Sequence, residues 1–406
     1  MSKHHIIIIG GGAAGFFTAI NIVEKNPNLK VAILERGKSV LEKVRISGGG
    51  RCNVTHACFV PNDLVKFYPR GERELKGPFN QFCSGDTIEW FEKHGVELKI
   101  EEDGRMFPES DSSQTIIDCL TREAEKLSID VRLGFGVDSL IKTENGFELT
   151  SNKEIFLFDK IIVATGGNPK SEGFNWLSSF NHEIIPPVPS LFTFNMPSEK
   201  TEALMGVATQ NTVVRIQGTS LQQQGPLLIT HWGMSGPAIL KLSAWGARIL
   251  NDLNYNFTLL VNWTGLANEE VVREKVMSAR LESAKKKIVN ANPFDLTARM
   301  WEYLLDRVEI KHDIVWGELP KKEQNRLINT LFNDAYKVEG KTTFKEEFVT
   351  CGGISLAEVN MNTMESRKQE GLFFAGEVLD IDGVTGGFNF QAAWTTGFIA
   401  GKLGKG

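Results

Sequence analysis

A chain of 406 residues is too long for one simple core, so two or three domains are expected. The 41% apolar and 23% charged fractions exclude a disordered or fibrous chain. A formal net charge of -5 gives no basic field of the kind nucleic-acid binders usually carry, and no nucleic-acid partner is expected on that ground, although a local basic patch stays open.

Met1 to His5 leads into the apolar run Ile6–Ile9, which is too short for a signal-peptide core and ends in glycines. It predicts a buried parallel strand. No apolar stretch approaches a membrane span, and the expected location is the cytoplasm. Gly10, Gly12 and Gly15 then follow in the GxGxxG spacing, with Ala13 and Ala14 between the last two. Gly10 permits a tight turn, Gly12 lets a pyrophosphate approach the backbone, and Gly15 lets a helix pack closely on the strand. Phe16 to Lys25 predicts that helix, its N-terminal N–H groups facing the phosphates. Lys30 to Leu34 predicts a second strand ending in Glu35, an acid placed to accept hydrogen bonds from an adenosine ribose, with Arg36 beside it as a further nucleotide contact. This unit suits NAD and FAD equally.

The run Ser47-Gly48-Gly49-Gly50-Arg51-Cys52-Asn53 comes next. Its three glycines expose consecutive N–H groups as an anion cradle, and Arg51 adds a donor for phosphate or carbonyl oxygens. A flexible surface loop is the plainer alternative. Cys52 fits a small buried residue better than a redox thiol. The five cysteines, at 52, 58, 83, 119 and 351, form neither a CxxC pair nor a zinc spacing and read as free thiols. Ile161 to Gly167 predicts another buried strand running into a glycine turn, which brings Thr165 and Gly166 to the nucleotide edge of the sheet.

Pro186-Pro187-Val188-Pro189 is a stiff, non-helical entry that closes the first segment near residue 190. An insert of about 150 residues follows, large enough to fold as its own unit. Strand-like runs such as Thr212–Ile216 and Phe257–Val261 predict a β-barrel-like part over 191–267, and the charged, helical pattern from Asn268 predicts a helical subdomain over 268–344. Its mixed charges read as a solvated helix face. His231, in Thr230-His231-Trp232-Gly233, is the candidate general acid, or simply part of a turn.

The chain returns to the first domain over 345–406. Gly371 to Glu377 is a strand ending in Gly376 and an acid, Glu377, which can meet a ribityl chain or phosphate. Gly383 to Gln391 carries Gly387, Phe388 and Asn389 and leads into a helix expected from about Gln391 to Ala400. A helix starting beside a flavin ring aims its partial positive end at the N1–C2=O edge, where a reduced flavin carries negative charge. Asn53 can hydrogen-bond a flavin edge. First and last segments thus read as one site for one long cofactor, which suits FAD better than NAD. No second GxGxxG follows a strand, so a separate NAD(P)H domain is not expected. Asp380 and Asp382 lack further ligands in register, so no metal site is expected and a solvated or flavin-facing loop is preferred.

Lys43 to Thr55, Glu102 to Pro108, Thr230 to Pro237, Thr363 to Ser366 and Ala375 to Gln391 together resemble the BaiN/YhiN-like NAD(P)/FAD-dependent oxidoreductases, a group that includes an aminoacetone oxidase. The resemblance implies an α/β, Rossmann-like FAD/NAD(P)-binding domain (1–190 and 345–406) split by the insert. It implies non-covalent FAD, the glycine loop near the flavin, and Val137 at the adenine. The expected function is an FAD-dependent oxidoreductase passing hydride to or from a small organic substrate, with NADH or NADPH as a candidate co-substrate. Reduction of a conjugated C=C bond and oxidation of an amine by O₂ both fit. Two other readings stay open: a flavoprotein acting in RNA modification, and a non-catalytic FAD-binding scaffold.

Overall fold

The computed structural model describes residues 5–199, 201–342 and 349–404; Met1–His4 and the expected point of return at 345 lie outside the described residues. Two compact units divide the chain, Met1–Ser190 with Lys345–Gly406, and Leu191–Phe344.

The first unit is built on a seven-stranded sheet. Strands β1 (Ile6–Ile9), β2 (Val31–Glu35), β3 (Asp130–Leu133), β4 (Lys160–Val163) and β5 (Leu372–Phe374) run parallel in the order β5-β4-β1-β2-β3. Two short antiparallel strands, Glu365–Ser366 and Val359–Asn360, extend the sheet beyond β5. Central β1 is buried at every position, which is why it reads as an unbroken isoleucine run and not as an alternation.

Helix α1 (Ala13–Lys25) leaves β1 through the glycines and is buried continuously from Ala14 to Val23. It packs on the C-terminal helix, Phe388–Ala400, which is buried along most of its length. A Cβ at Gly397 would stand 3.1 Å from the carbonyl oxygen of Ala14, so the two backbones approach through that glycine. The prolines near residue 190 lie in an antiparallel ribbon of Ile184–Ser190 with Val349–Ile354, whose register slips between Ile185 and Val188. Proline cannot donate to a ladder, and the slip accommodates Pro186 and Pro187.

The second unit carries a seven-stranded antiparallel sheet over residues 193–342. Helices Glu269–Glu282, α3 (Ala298–Arg307) and α4 (Lys321–Asn333) accompany it. One hydrophobic core joins sheet residues such as Val214 and Val261 to Trp301, Trp316 and Leu331. The expected helical subdomain over 268–344 therefore does not stand apart. Strands Asp334–Glu339 and Lys341–Thr342 return to the sheet, and the buried alternation of Tyr336 and Val338 that places the first of them is only six residues long. No helix among the described residues is long and apolar enough to cross a membrane.

Candidate cofactor-binding site

The three fingerprint glycines answer to different demands. A Cβ at Gly10 would lie 2.3 Å from the Ala164 oxygen, and one at Gly15 would lie 2.0 Å from the Gly10 oxygen. At Gly12 nothing lies within 4 Å. Packing within the protein thus requires Gly10 and Gly15, whereas Gly12 faces open space. Ala13 and Ala14 open α1, which has no side-chain cap and no acid in its first turn. Its N–H groups and partial positive charge are left for an anion.

Glu35 closes the turn from the side. Its Oε2 accepts from Gly11 N–H at 2.8 Å and its Oε1 from Gly37 N–H at 2.6 Å, and each oxygen retains a second lone pair. Gly134 N–H donates to Gly37 O at 3.0 Å and Phe135 N–H to Glu35 O at 2.9 Å, which lays the segment leading to Val137 beside β2. A Cβ at Gly136 would sit 3.4 Å from Cγ of Arg36. Glu35, Arg36 and Val137 therefore share one end of the sheet.

The returning segment reaches the same place. A Cβ at Gly376 would be 2.9 Å from Cβ of Ala14, so the turn after β5 rests on the start of α1. Glu377 Oε1 accepts from Thr350 N–H at 2.8 Å, and its Oε2 pairs with Lys43 Nζ at 2.6 Å. A Cβ at Gly166 would be 4.0 Å from the same Oε2, which puts Thr165 and Gly166 alongside Glu377. Lys43 was not singled out by the sequence reading, because no spacing rule links it to an acid more than 300 residues away.

Helix α2 (Glu42–Gly50) runs into the glycine loop, where Ser47 leaves the helical region and Gly48 and Gly49 turn left-handed with φ of 58° and 68°. Cys52 N–H returns to Ser47 O at 3.0 Å, so the segment is a built turn and not a loose loop. Cβ atoms at Gly49 and Gly50 would meet nothing within 4 Å. Arg51, expected as a donor for phosphate or carbonyl oxygens, has Nη1 engaged within the protein. Its Nη1 pairs with Glu101 at 2.6 Å and Asp111 at 3.3 Å, and its guanidinium lies 3.9 Å over Phe107. Cys52 is fully buried, and burial pushes its thiol up to about 12. The amide of Asn53 donates to Thr55 O at 3.0 Å and Met106 O at 3.3 Å and accepts from Gly387 N–H at 3.0 Å, so it serves the protein's own backbone.

The C-terminal helix starts at Phe388, three residues earlier than expected, with Gly387 as its N-cap at φ 93°. A Cβ there would lie 2.5 Å from Thr55 O. Like α1, this helix lacks a side-chain cap and a first-turn acid. Phe388 packs against both Phe67 at 4.3 Å and His56 at 4.6 Å, whose rings lie 5.9 Å from each other, and His56 Nδ1 lies 3.0 Å from Gly386 O. His56 was missed because a histidine three residues beyond a glycine loop matches no catalytic spacing. Asn389 clasps Gly383 through two hydrogen bonds of 2.9 Å. Of the solvated or flavin-facing loop expected at Asp382, the solvated alternative fails. Asp382 is fully buried, gripped by Nε and Nη2 of Arg70 and by the Ser190 hydroxyl at 2.6 Å. Burial raises its carboxyl to about 6 against the opposing pull of Arg70.

His231 belongs to the inserted unit, where it is exposed on the turn between strands Gln222–Thr230 and Gly233–Ser235, with its ring edge-on to Trp232 at 3.8 Å. The other candidate residues lie in the first unit.

The family of HI0933-like proteins with a Rossmann domain matches residues 4–403. A ribosomal RNA dihydrouridine synthase of Escherichia coli (strain K12) is 31% identical, over 99% of this chain and 98% of that protein. A 3-dehydro-bile acid delta(4,6)-reductase of Clostridium scindens is 27% identical, over 98% of both chains. Among solved structures, 3-ketosteroid delta1-dehydrogenase of Sterolibacterium denitrificans superposes with a TM-score of 0.52 at 12% identity, covering 99% of each chain. That likeness is one of fold alone.

Proposed function

This chain belongs to the HI0933-like Rossmann family of FAD-dependent oxidoreductases, and we propose that it reduces a C=C bond conjugated to a carbonyl, with a uridine of RNA as the substrate. The observation that carries this reading is the 31% identity, end to end, with a ribosomal RNA dihydrouridine synthase. The bile-acid reductase supports the same reaction class, because its name also describes reduction of unsaturated carbon. The uracil ring carries its C=C next to a carbonyl, so one kind of chemistry covers both relatives. A small enone-like substrate is the second reading, favoured by the bile-acid relative.

The residues of the first unit fit FAD. Open space at Gly12 beside an uncapped helix start suits a pyrophosphate, and the spare lone pairs of Glu35 suit a ribose. Arg36 and Val137 are proposed at the adenosine end, and Thr165, Gly166, Gly376 and Glu377 along the middle of the cofactor. Lys43 joins this set through Glu377. Gly50, Gly387, Phe388 and Asn389 are proposed to flank the flavin, while Arg51, Cys52 and Asn53 hold the loop that carries Gly50.

When bound, FAD supplies the two-electron chemistry, with NADH or NADPH proposed as the source of hydride. The chain's contribution is orientation and charge. The uncapped start of the C-terminal helix supplies a partial positive charge, held in place by Asn53 and the Phe388 stack. Reduction of a C=C bond also needs a proton. His231, exposed on its turn, is proposed to deliver it.

The test is to load the protein with FAD and add NADH or NADPH without oxygen while following the flavin spectrum. Unmodified ribosomal RNA is then supplied, and an enone steroid in a parallel vessel. Bleaching of the flavin, followed by RNA heavier by the two added hydrogens at a uridine, is the expected result. Turnover of the steroid alone would move the assignment to the second reading. A flavin that neither nicotinamide reduces would leave a binding scaffold.

A further inference from the structure

The inserted unit contains a cavity of about 450 Å³ between the end of α3 and the exposed face of α4, lined by Arg307, Val308, Asn325, Arg326, Asn329 and Thr330. That volume lies within the usual range for a site that holds a small ligand. Every polar side chain in the lining can donate a hydrogen bond, and no carboxylate lines it.

The two arginines are not equally committed. Arg307 gives Nε to Asp334 at 2.8 Å and Nη2 to Ala335 O at 2.8 Å, and only Nη1 is loosely held, 3.5 Å from the Tyr303 hydroxyl and 3.6 Å from Glu199. Arg326 has one good contact, from Nη1 to Glu309 at 3.2 Å, and that carboxylate is 81% exposed. Its Nη2 lies 3.9 Å from Glu323, beyond hydrogen-bond reach. Its Nε is buried and has no partner among the described residues. Because that Nε is sealed from solvent, the edge Arg326 can turn to an oxyanion is Nη2, which no short hydrogen bond occupies. Asn325 accepts from Arg273 through Oδ1 at 3.0 Å, which leaves its N–H groups as donors.

We propose that this pocket binds a backbone phosphate of the RNA substrate, an inference that rests on the RNA reading given above. Phosphate contacts set the register of a nucleic acid without reading its sequence. A net negative chain is no obstacle, since a local donor cluster decides the contact and the sum of charges does not.

The experiment measures binding of a fluorescent, uridine-containing single-stranded RNA to the FAD-loaded protein by anisotropy, over a series of salt concentrations. Wild type, R326Q and N329D are compared, the last placing a carboxylate on the exposed wall of the pocket. Melting temperature and flavin spectrum check that each variant is folded. Both variants are expected to bind about tenfold more weakly, and R326Q to lower the slope of log K against log salt by about one. If wild type binds RNA and both variants bind it equally well with the same slope, the pocket is not the anchor and the RNA reading stands. If wild type binds no RNA at any salt concentration, both fall. Parallel titrations with inorganic phosphate and NADPH separate the sources of phosphate. A variant that loses either of these while keeping RNA overturns the proposal in favour of a small-phosphate site.

Discussion

His94 presents Nε2 to the carboxylate of Glu24 at 3.0 Å while its Nδ1 lies 2.6 Å from the carbonyl oxygen of Trp90. Both neighbours are acceptors, an arrangement that favours the doubly protonated ring. Burial is the largest influence and pulls its pKa down, but the hydrogen bonds to Glu24 and Trp90 outweigh it, and His94 ends above the ordinary 6.5. Glu24 is lowered, chiefly by its hydrogen bond to His94. A raised histidine gives stability that is complete below the unfolded pKa and is lost as pH rises through the folded value. The difference in melting temperature between wild type and H94Q is therefore expected to be largest near pH 6 and to narrow on the alkaline side. A difference that stayed constant up to pH 9 would show His94 to be neutral.

The contrast between Gly12 and Gly15 separates folding from binding. A methyl group at Gly12 meets no protein atom, so G12A is expected to melt like wild type when FAD is absent. It should nevertheless bind FAD at least tenfold more weakly, because the methyl occupies the space that a pyrophosphate needs. G15A forces a Cβ to within 2.0 Å of the Gly10 oxygen and should melt earlier even without cofactor. Differential scanning fluorimetry with a flavin-fluorescence titration checks both. Equal FAD affinity for G12A and wild type would remove the pyrophosphate from that position.

E35A tests the adenosine end. It deletes the acceptor of two backbone N–H groups as well as the proposed ribose contact. Hydrogen bonds to a charged group are worth about 1.5–3 kcal/mol, or roughly 10- to 100-fold in affinity. FAD retention on gel filtration, followed by a titration, should fall by that order; unchanged retention would free Glu35 from the ribose.

Cys52 should be chemically silent. Its fully buried thiol, raised to about 12, carries almost no thiolate at neutral pH. Brief alkylation of the folded protein followed by peptide mass spectrometry should label the half-buried Cys58 and Cys83 and leave Cys52 unmodified. C52A should leave the anaerobic reduction of the flavin unchanged. Rapid labelling of Cys52 would reopen a redox role.

Much of the first unit was legible because its signals are local. The isoleucine run, the glycine spacing and the acid closing β2 each lie within a few residues, and together they predicted a Rossmann-type sheet. The resemblance carried by the glycine loop and the C-terminal run identified the family correctly. What escaped depends on contacts remote in sequence. Lys43 meets Glu377, Asn53 meets Gly387, and Arg70 buries Asp382, each across more than 300 residues. Gln391 was read as the start of a helix, yet it sits inside one. Its Oε1 accepts from the buried hydroxyls of Thr55 at 2.6 Å and Thr87 at 2.9 Å. Arg51 was read as a donor for a ligand because its acceptors, Glu101 and Asp111, are distant in sequence. In the insert, composition favoured helix over 268–344, and the short alternation that returns 334–342 to the sheet was too brief to outweigh it.

In the proline-bearing ribbon, Ser190 lies directly opposite Val349. The chain therefore leaves the nucleotide fold and re-enters it at neighbouring points, as the two arms of a hairpin do. A gap of that geometry can be bridged by a tight turn or by a whole domain, and the sheet registers no difference between them. The nucleotide fold is thus a socket. A different insert can be grafted at that one doorway while the fingerprint glycines Gly10, Gly12 and Gly15 stay untouched.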